Sequence, residues 1–417
     1  MLDIKFIREN PDLIKEAIRK KGVKFDVEKL LAVDERRRRV IQELETKRAE
    51  QNMGSKGGPK EPDEIEKLKK LKEEIKILEE EMKHVEQEFD GLMLQVPQVP
   101  DPSVPEGKTD VDNVEIRHWG KIPKFDFPVK DHIQLMEDLN LLDLERGAKV
   151  SGFRGYFLKN SAALLSHALW NFVMEKFVKK GYEPLIAPAI AREFNFTGTG
   201  WLPQGKDEVY KLGEDGYLIG TSEVSVMGYH ADEILQEKDL PKKYIAFSPC
   251  YRSEAGSYGK DTKGIMRVHE FYKLEQVILC KADHEESVKW HEEITRNSEE
   301  IVQALKLPYR VVVNCAGDLG LGQVKKYDIE TWMPSQERYR ETHSASYFHD
   351  FQTRRLNIRY REASGKLHFA HSLNNTALAT PRILANIVEN YQTKKGTVKV
   401  PKVLRKWMGG VKEIKAR

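Results

Sequence analysis

Residues 251–276, YRSEAGSYGKDTKGIMRVHEFYKLEQ, place two alternating runs around a loop rich in glycine and lysine. Arg252 and Glu254 stand two apart before the loop; Arg267, His269, Phe271, Lys273 and Glu275 follow at even spacing after it. A strand sends residues i, i+2 and i+4 to one face, so each set is co-facial on a strand. The loop adds Gly256, Gly259, Lys260, Lys263 and Gly264, a flexible cationic flap. Later come Glu341 and Ser344, then Asn374, Thr376 and Arg382 around the start of a last helical run. Guanidinium groups suit phosphate because they donate two parallel hydrogen bonds, and an aromatic face can hold a purine. Carboxylates nearby can hold Mg2+ or an ammonium group. Taken together, these residue types suggest a nucleotide face built on antiparallel strands.

Other familiar chemistry is absent. No GxxxxGK[ST] occurs, and no GxGxxG opens a helix after a strand, so neither a P-loop nor a dinucleotide fold is supported. GTGWLPQG (198–205) and GLG (320–322) read as loops, and His343 and His349 lack a third metal ligand nearby. Three cysteines without CxxC spacing exclude a disulfide framework or a cysteine zinc site. The 69 basic and 66 acidic residues nearly cancel, so any nucleic-acid surface must be local. The start, MLDIKFIREN, is too charged for a signal peptide, and AALLSHALWNFVM (162–174) is too short to span a bilayer. A soluble cytosolic protein is expected.

The elements that must position these residues fall into two regions. Within residues 1–98, Leu68, Leu71, Ile75, Leu78, Met82, Val85, Phe89, Leu92 and Val96 step by threes and fours, a heptad seam. Residues 27–50 form a second charged helical stretch with Leu30, Val33, Val40, Ile41 and Leu44 on its apolar side. Between them lies the turn QNMGSKGGPKEP (51–62), so the region reads as an antiparallel helical hairpin. Its second helix, 63–96, would be about 50 Å long at about 1.5 Å per residue. The run Arg36–Arg39 is surrounded by the acidic residues Asp34, Glu35, Glu43 and Glu45 and reads on spacing alone as a solvated face. Six of the 18 prolines then crowd into 97–128 and mark a linker. Beyond it come the amphipathic helix 161–181, a strand YEPLIAPAI containing Pro188, and a final helix 381–392. The β-rich runs between them are YLIGTSEVSV, KYIAFSPCYRSEA, IMRVHEFYKLEQVILC, YRVVVNC and FQTRRLNIRYRE. Clustered strands with few intervening helices favour an antiparallel α+β domain.

The chain resembles the bacterial-type seryl-tRNA synthetases of the class II fold. Tyr251-Arg252-Ser253-Glu254, within 245–276, is similar to class II motif 2, with tyrosine for the usual phenylalanine. HSLNNTALATPRILANIVENYQ (371–392) is similar to motif 3, and the segment around 161–190 to motif 1. ETHS (341–344) stands where many members read EVSS. The resemblance implies an N-terminal tRNA-binding domain, 1–105, carrying the coiled-coil arm at about 27–97, and a catalytic core, 106–417, built on an antiparallel sheet. It implies a homodimer joined through motif 1, in the cytoplasm. It further implies activation of L-serine with ATP to seryl-adenylate and pyrophosphate, then transfer to tRNA(Ser), with tRNA(Sec) a further candidate.

By the same resemblance, Arg252 would grip the α-phosphate and Arg382 the γ-phosphate, with Arg267 assisting. Phe271 would stack on adenine, Glu254 would read its amino group, and Val268 would line the base; Ser253 and Thr342 complete the ATP set. Glu341 and Ser344 would place Mg2+ on the triphosphate. For serine, Thr221, Glu223 and Glu275 would surround the ammonium group, Asn374 and Thr376 would recognise the hydroxyl, and Arg252 would also reach the substrate. The arm would meet the long variable arm of tRNA(Ser), with Arg36 to Arg39, Lys47, Arg48, Lys67, Lys69, Lys70 and Lys72 as candidate phosphate contacts. A ligase loading a carrier protein would be expected to lack the arm, and a non-catalytic coiled-coil paralogue to lack Arg252, Glu275 or Arg382; this chain keeps all of them.

Overall fold

The computed structural model describes residues 1–55, 61–257, 259 and 261–416, in two compact units, Met1–Val99 and Pro100–Arg417. The tip of the hairpin, 56–60, and Lys260 of the flap lie outside the described residues.

The first unit is helical: α1 (Ile4–Glu9), α2 (Pro11–Lys21), α3 (Val27–Ser55) and α4 (Pro62–Met93). Pro11 opens α2 where its missing N–H costs nothing, and Gly22 closes it at φ 64°, a left-handed cap. Helices α3 and α4 form the long antiparallel pair. Leu30, Val33, Val40 and Leu44 of α3 are buried with Ile75, Leu78, Val85 and Phe89 of α4. Around this seam Arg36 pairs with Glu81, Arg37 with Glu86, Lys47 with Glu74 and Arg48 with Glu79. Their partners run backward along α4 as α3 advances. Each such exposed pair contributes about 0–1 kcal/mol, so the apolar seam carries the stability and the pairs set the register. Arg38 turns to buried Asp34, at 3.3 Å. Of the candidate phosphate contacts, Arg39, Lys67, Lys69 and Lys72 are exposed and form no ion pair among the described residues.

The second unit is organised by an eight-stranded sheet. Its strands are β1 (Val114–Trp119), β2 (Glu183–Ile186), β3 (Lys242–Tyr251), β4 (Glu270–Cys280), β5 (Tyr309–Val313), β6 (Lys325–Met333), β7 (Arg338–His349) and β8 (His371–Thr380). Their spatial order is β1-β5-β6-β7-β8-β4-β3-β2, antiparallel throughout except where β2 joins β3. One face is covered by α5 (Ser161–Lys179), α6 (His284–Ala304) and α7 (Arg382–Asn390). Leu274 and Ile278 of β4 enter that core with Leu169, Val173 and Phe177 of α5 and Ile294 of α6. Gln276 and Asn375, also on this face, donate to Ile294 O and Ser298 Oγ of α6, so their buried amide N–H groups are satisfied. The alternate residues of β4, Phe271, Lys273 and Glu275, are left for the opposite face, as the period of two requires.

Two β-bulges set what that face presents. Between β4 and β8, Leu274 pairs Leu378 while Glu275 pairs Thr376, leaving Ala377 as the extra residue. Between β6 and β7, Ile329 pairs His343 and Glu330 pairs Glu341, so Thr342 is extra. Residues three apart on a regular strand point to opposite faces; the bulge at Thr342 brings Glu341 and Ser344 to the same one.

Several local expectations change. Pro188 divides YEPLIAPAI into β2 and a separate short strand, Ile190–Arg192, because proline offers the ladder no N–H. In YLIGTSEVSV only Gly216–Leu218 is a strand; Glu223–Tyr229 is a helix that buries Val224, Val226 and Met227, so tertiary burial overrides β propensity. Phe351–Arg355 is likewise helical, and IMRVH precedes β4 rather than belonging to it. Residues 100–105, expected with the arm, pack on the second unit: Asp101 N donates to Val324 O, and Val104 clusters with Ala316 and Leu319. Among the described residues no helix is long and apolar enough to cross a membrane.

Candidate active site

The face opposite the helices opens into a cleft of about 380 Å³. From the end of β3 it receives Arg252, and from the return of the flap Met266, Arg267 and Val268. Phe271, Lys273 and Glu275 come from β4, Glu341, Thr342 and Ser344 from β7, Asn374 and Thr376 from β8, and Arg382 from the first position of α7. Thr221 and Glu223 enter from the turn and helix at 221–229, and Glu254 from the start of the flap. Every expected site residue therefore lines one cleft except Ser253. Its hydroxyl donates to the Asp207 carbonyl and its N–H to Glu208 O, so it pins the 206–208 turn instead.

The cations are held in place by short, directed contacts. Arg252 donates from Nε and Nη2 to Gly220 O, at 3.3 and 3.2 Å. Its guanidinium carbon lies 5.5 Å from the ring centres of both Trp201 and Phe271, two aromatic contacts that favour the cation. Arg267 pairs with Glu254, whose φ of 57° is the left-handed region a non-glycine residue rarely adopts. Strain of that kind persists where surrounding contacts over-determine it. Arg382 donates from Nε to Met266 O at 2.9 Å and from Nη1 to Glu341 O at 3.1 Å, tying α7 to the flap and to β7. Although enclosure works against its charge, Arg382, Lys326 and Arg252 hold the Glu341 carboxyl below its ordinary range.

A second cluster is acidic. Glu223 and Glu275 are both buried. Burial pushes Glu223 up to about 7, although Gln352 Nε2 donates to it at 2.6 Å. Burial also raises Glu275, opposed by Lys273, whose Nζ lies 2.6 Å from Glu275 Oε2. Thr376 Oγ1 reaches the same oxygen at 3.4 Å. Two enclosed carboxylates against one lysine leave this corner short of positive charge, which a cationic ligand would supply.

Trp201, Gln323, Lys326 and Ser346 also line the cleft and were not anticipated. Trp201 sits in the glycine-rich stretch read as a plain loop, where only its large aromatic ring was a signal. Lys326 and Ser346 face each other across β6 and β7, a pairing visible only once the register is known. Lys326 lies 3.4 Å from Asp328 Oδ2. Among the described residues no group of three or more His, Cys, Asp or Glu could hold a metal ion.

Residues 208–391 match the model of the tRNA synthetase class II core domain (G, H, P, S and T), and residues 1–100 match the seryl-tRNA synthetase N-terminal domain. The serine–tRNA ligase of Deinococcus radiodurans is 46% identical over 416 residues, covering 98% of each chain. Seryl-tRNA synthetase from Pyrococcus horikoshii, solved in complex with ATP, superposes with a TM-score of 0.93 at 41% identity, covering 100% of both chains. The cytoplasmic serine–tRNA ligase of Naegleria fowleri, solved with AMP, gives 0.89 at 37% identity, covering 100% of this chain and 99% of that one. With arm, sheet and cleft all included in these matches, the chain belongs to the seryl-tRNA synthetases, within class II of the aminoacyl-tRNA synthetases.

Proposed function

We propose that the chain works as a serine–tRNA ligase through this cleft, binding ATP at its arginines and serine at its carboxylates. The observation that carries the assignment is the meeting in one cleft of Arg252, Arg267 and Arg382 with the buried pair Glu223 and Glu275. A triphosphate and an ammonium group are the ligands whose charges such a cleft balances. Phe271 offers a ring for adenine, Glu254 an acceptor for its amino group, and Val268 a wall for the base. Asn374 and Thr376 offer polar groups to the serine hydroxyl, beside Thr221.

In the first step a serine carboxylate oxygen attacks the α-phosphorus. The new O–P bond forms as the bond to the β-phosphate breaks, and pyrophosphate leaves with the electron pair. No side-chain base is needed because the carboxylate is already ionised; the protein positions the groups and neutralises charge gathering on the α-phosphate. Arg252 is the residue placed for that. In the second step a terminal ribose hydroxyl of tRNA attacks the acyl carbon, the bond from that carbon to the phosphate oxygen breaks, and AMP leaves with the electron pair while its phosphate takes up the hydroxyl proton. Glu341 and Ser344 share one face of the cleft and are oxygen donors, which suits Mg2+, an ion that takes much of its shell from phosphates and water. Mg2+ held there would offset the triphosphate charge.

Arg39, Lys67, Lys69 and Lys72, exposed on the arm and in no ion pair among the described residues, are proposed phosphate contacts for tRNA(Ser), and tRNA(Sec) is a further acceptor to test. Leu164, Val178, Ile186 and Ile190, between 46% and 85% exposed, give the motif 1 segment an apolar surface that a second copy would cover in a homodimer. Three buried free cysteines suit the reducing cytoplasm. Incubating the protein with ATP, labelled serine and total tRNA should give acid-precipitable aminoacyl-tRNA; no label above a no-ATP control would overturn the assignment.

The raised Glu223 gives a pH signature. Its pKa of about 7 means that below that pH the free protein holds it neutral and unable to balance an ammonium group. The kcat/KM for serine should therefore fall toward tenfold per pH unit on the acid side, and Glu223→Gln should remove that limb while lowering the plateau. An unchanged acid limb in Glu223→Gln would assign it to another group.

A further inference from the structure

Lys273 stands in mid-strand on the cleft face of β4, between Phe271 and Glu275, and is only 5% exposed. Lysines are rarely so buried unless their charge is matched. Here Nζ lies 2.6 Å from Glu275 Oε2 and 2.8 Å from Thr221 Oγ1, so one ammonium joins a central strand to the turn that opens the 223–229 helix. An ammonium group has donors and no acceptor, so the Thr221 oxygen must accept from it. That oxygen also accepts from the Glu223 backbone N–H, at 3.3 Å. With both its lone pairs engaged, the Thr221 hydroxyl can only donate its own hydrogen. Glu275, held on one oxygen by Lys273 and Thr376, is fixed in direction as well as charge.

We propose that Lys273 is a positioning residue for amino-acid recognition: it keeps the Glu275 carboxylate charged and aimed at the substrate ammonium, and it commits the Thr221 hydroxyl to donating toward a substrate oxygen. This rests on the serine-pocket reading above, and sharpens it by moving Thr221 from the ammonium to an oxygen of the substrate. The corner then works as a polarity-matched clamp. Acceptor carboxylates meet the amine, a donor hydroxyl meets an oxygen, and an amine lacking that oxygen would leave the donor unpaired.

A double-mutant cycle on serine-dependent ATP–pyrophosphate exchange tests the role. Lys273→Met should raise KM for serine about 100-fold, the scale for losing hydrogen bonds to charged groups, and leave KM for ATP within about twofold. Glu275→Gln should raise KM for serine as well, and Lys273→Met/Glu275→Gln should lose clearly less than the product of the two single losses, because Lys273 acts in part through Glu275 and in part through Thr221. Losses that multiply in the double variant, an unchanged serine KM in Lys273→Met, or equal losses for ATP and serine would each overturn the positioning role. If Lys273→Met does not fold, the double variant still carries the comparison, since removing both members of a buried ion pair is far milder than removing one. A double variant that loses ATP and serine equally again overturns the role. The serine-pocket reading itself fails separately, if Glu275→Gln leaves the serine KM where it was.

Discussion

Replacing Arg252 with alanine is expected to lower kcat for serine-dependent ATP–pyrophosphate exchange by about 10²- to 10³-fold, the scale for removing one preorganised donor from a developing oxyanion. Its guanidinium is fixed before any ligand arrives, by two hydrogen bonds to Gly220 O and by contacts with the rings of Trp201 and Phe271. Little reorganisation is then required at the moment the α-phosphate gathers charge. Lysine should restore only part of the loss, because a compact ammonium cannot give two parallel N–H groups or lie against aromatic rings as a planar guanidinium does. Thermal stability should stay close to the parent, since Arg252 is only part-buried and Gly220 O can turn to water. The check is steady-state exchange across serine and ATP concentrations for Arg252→Ala and Arg252→Lys. A loss under tenfold, or full recovery with lysine, would remove Arg252 from the chemical step.

Removing residues 1–99 should produce the opposite division of labour: exchange within about threefold of the parent, and charging of tRNA lowered by about 10³-fold or more. The sheet, the cleft and the main hydrophobic core belong to residues 100–417, whereas the first unit has its own apolar clusters. Phosphate contacts add together and each displaces counterions, so losing all of them at once has a large effect. Within the arm the effect should be uneven. Arg36, Arg37, Lys47 and Arg48 are already paired with α4 carboxylates, so neutralising them should cost less charging than neutralising Arg39, Lys67, Lys69 and Lys72. Charging assays at two salt concentrations measure both. Equal charging by the truncated protein would end the tRNA assignment for the first unit.

Much of this arrangement was legible in the order of residues. The step of threes and fours from Leu68 to Val96 marked the hairpin, and the even spacing of Phe271, Lys273 and Glu275 marked the cleft face of β4. Both are short-range periodicities that one element displays by itself. What escaped depends on a partner. Glu341 and Ser344 share a face only because Thr342 bulges against β6. Register between strands is a tertiary property, and no single strand carries it. The helix at 223–229 was hidden for a related reason: Val224 and Val226 alternate like a strand, while burial against the sheet selects a helix. Ser253 sits beside Arg252 in sequence, yet a hydrogen bond to Asp207 turns it out of the cleft.

The most direct test of the whole reading is ATP–pyrophosphate exchange measured in parallel with serine, alanine, threonine and glycine. A pocket whose buried polar groups are arranged for a hydroxyl should discriminate against alanine by about 10⁴-fold in kcat/KM, because those groups would be left unpaired. Serine should give the highest kcat/KM of the four, with alanine lower by that factor. No exchange with serine, or a higher value with any of the other three, would contradict it.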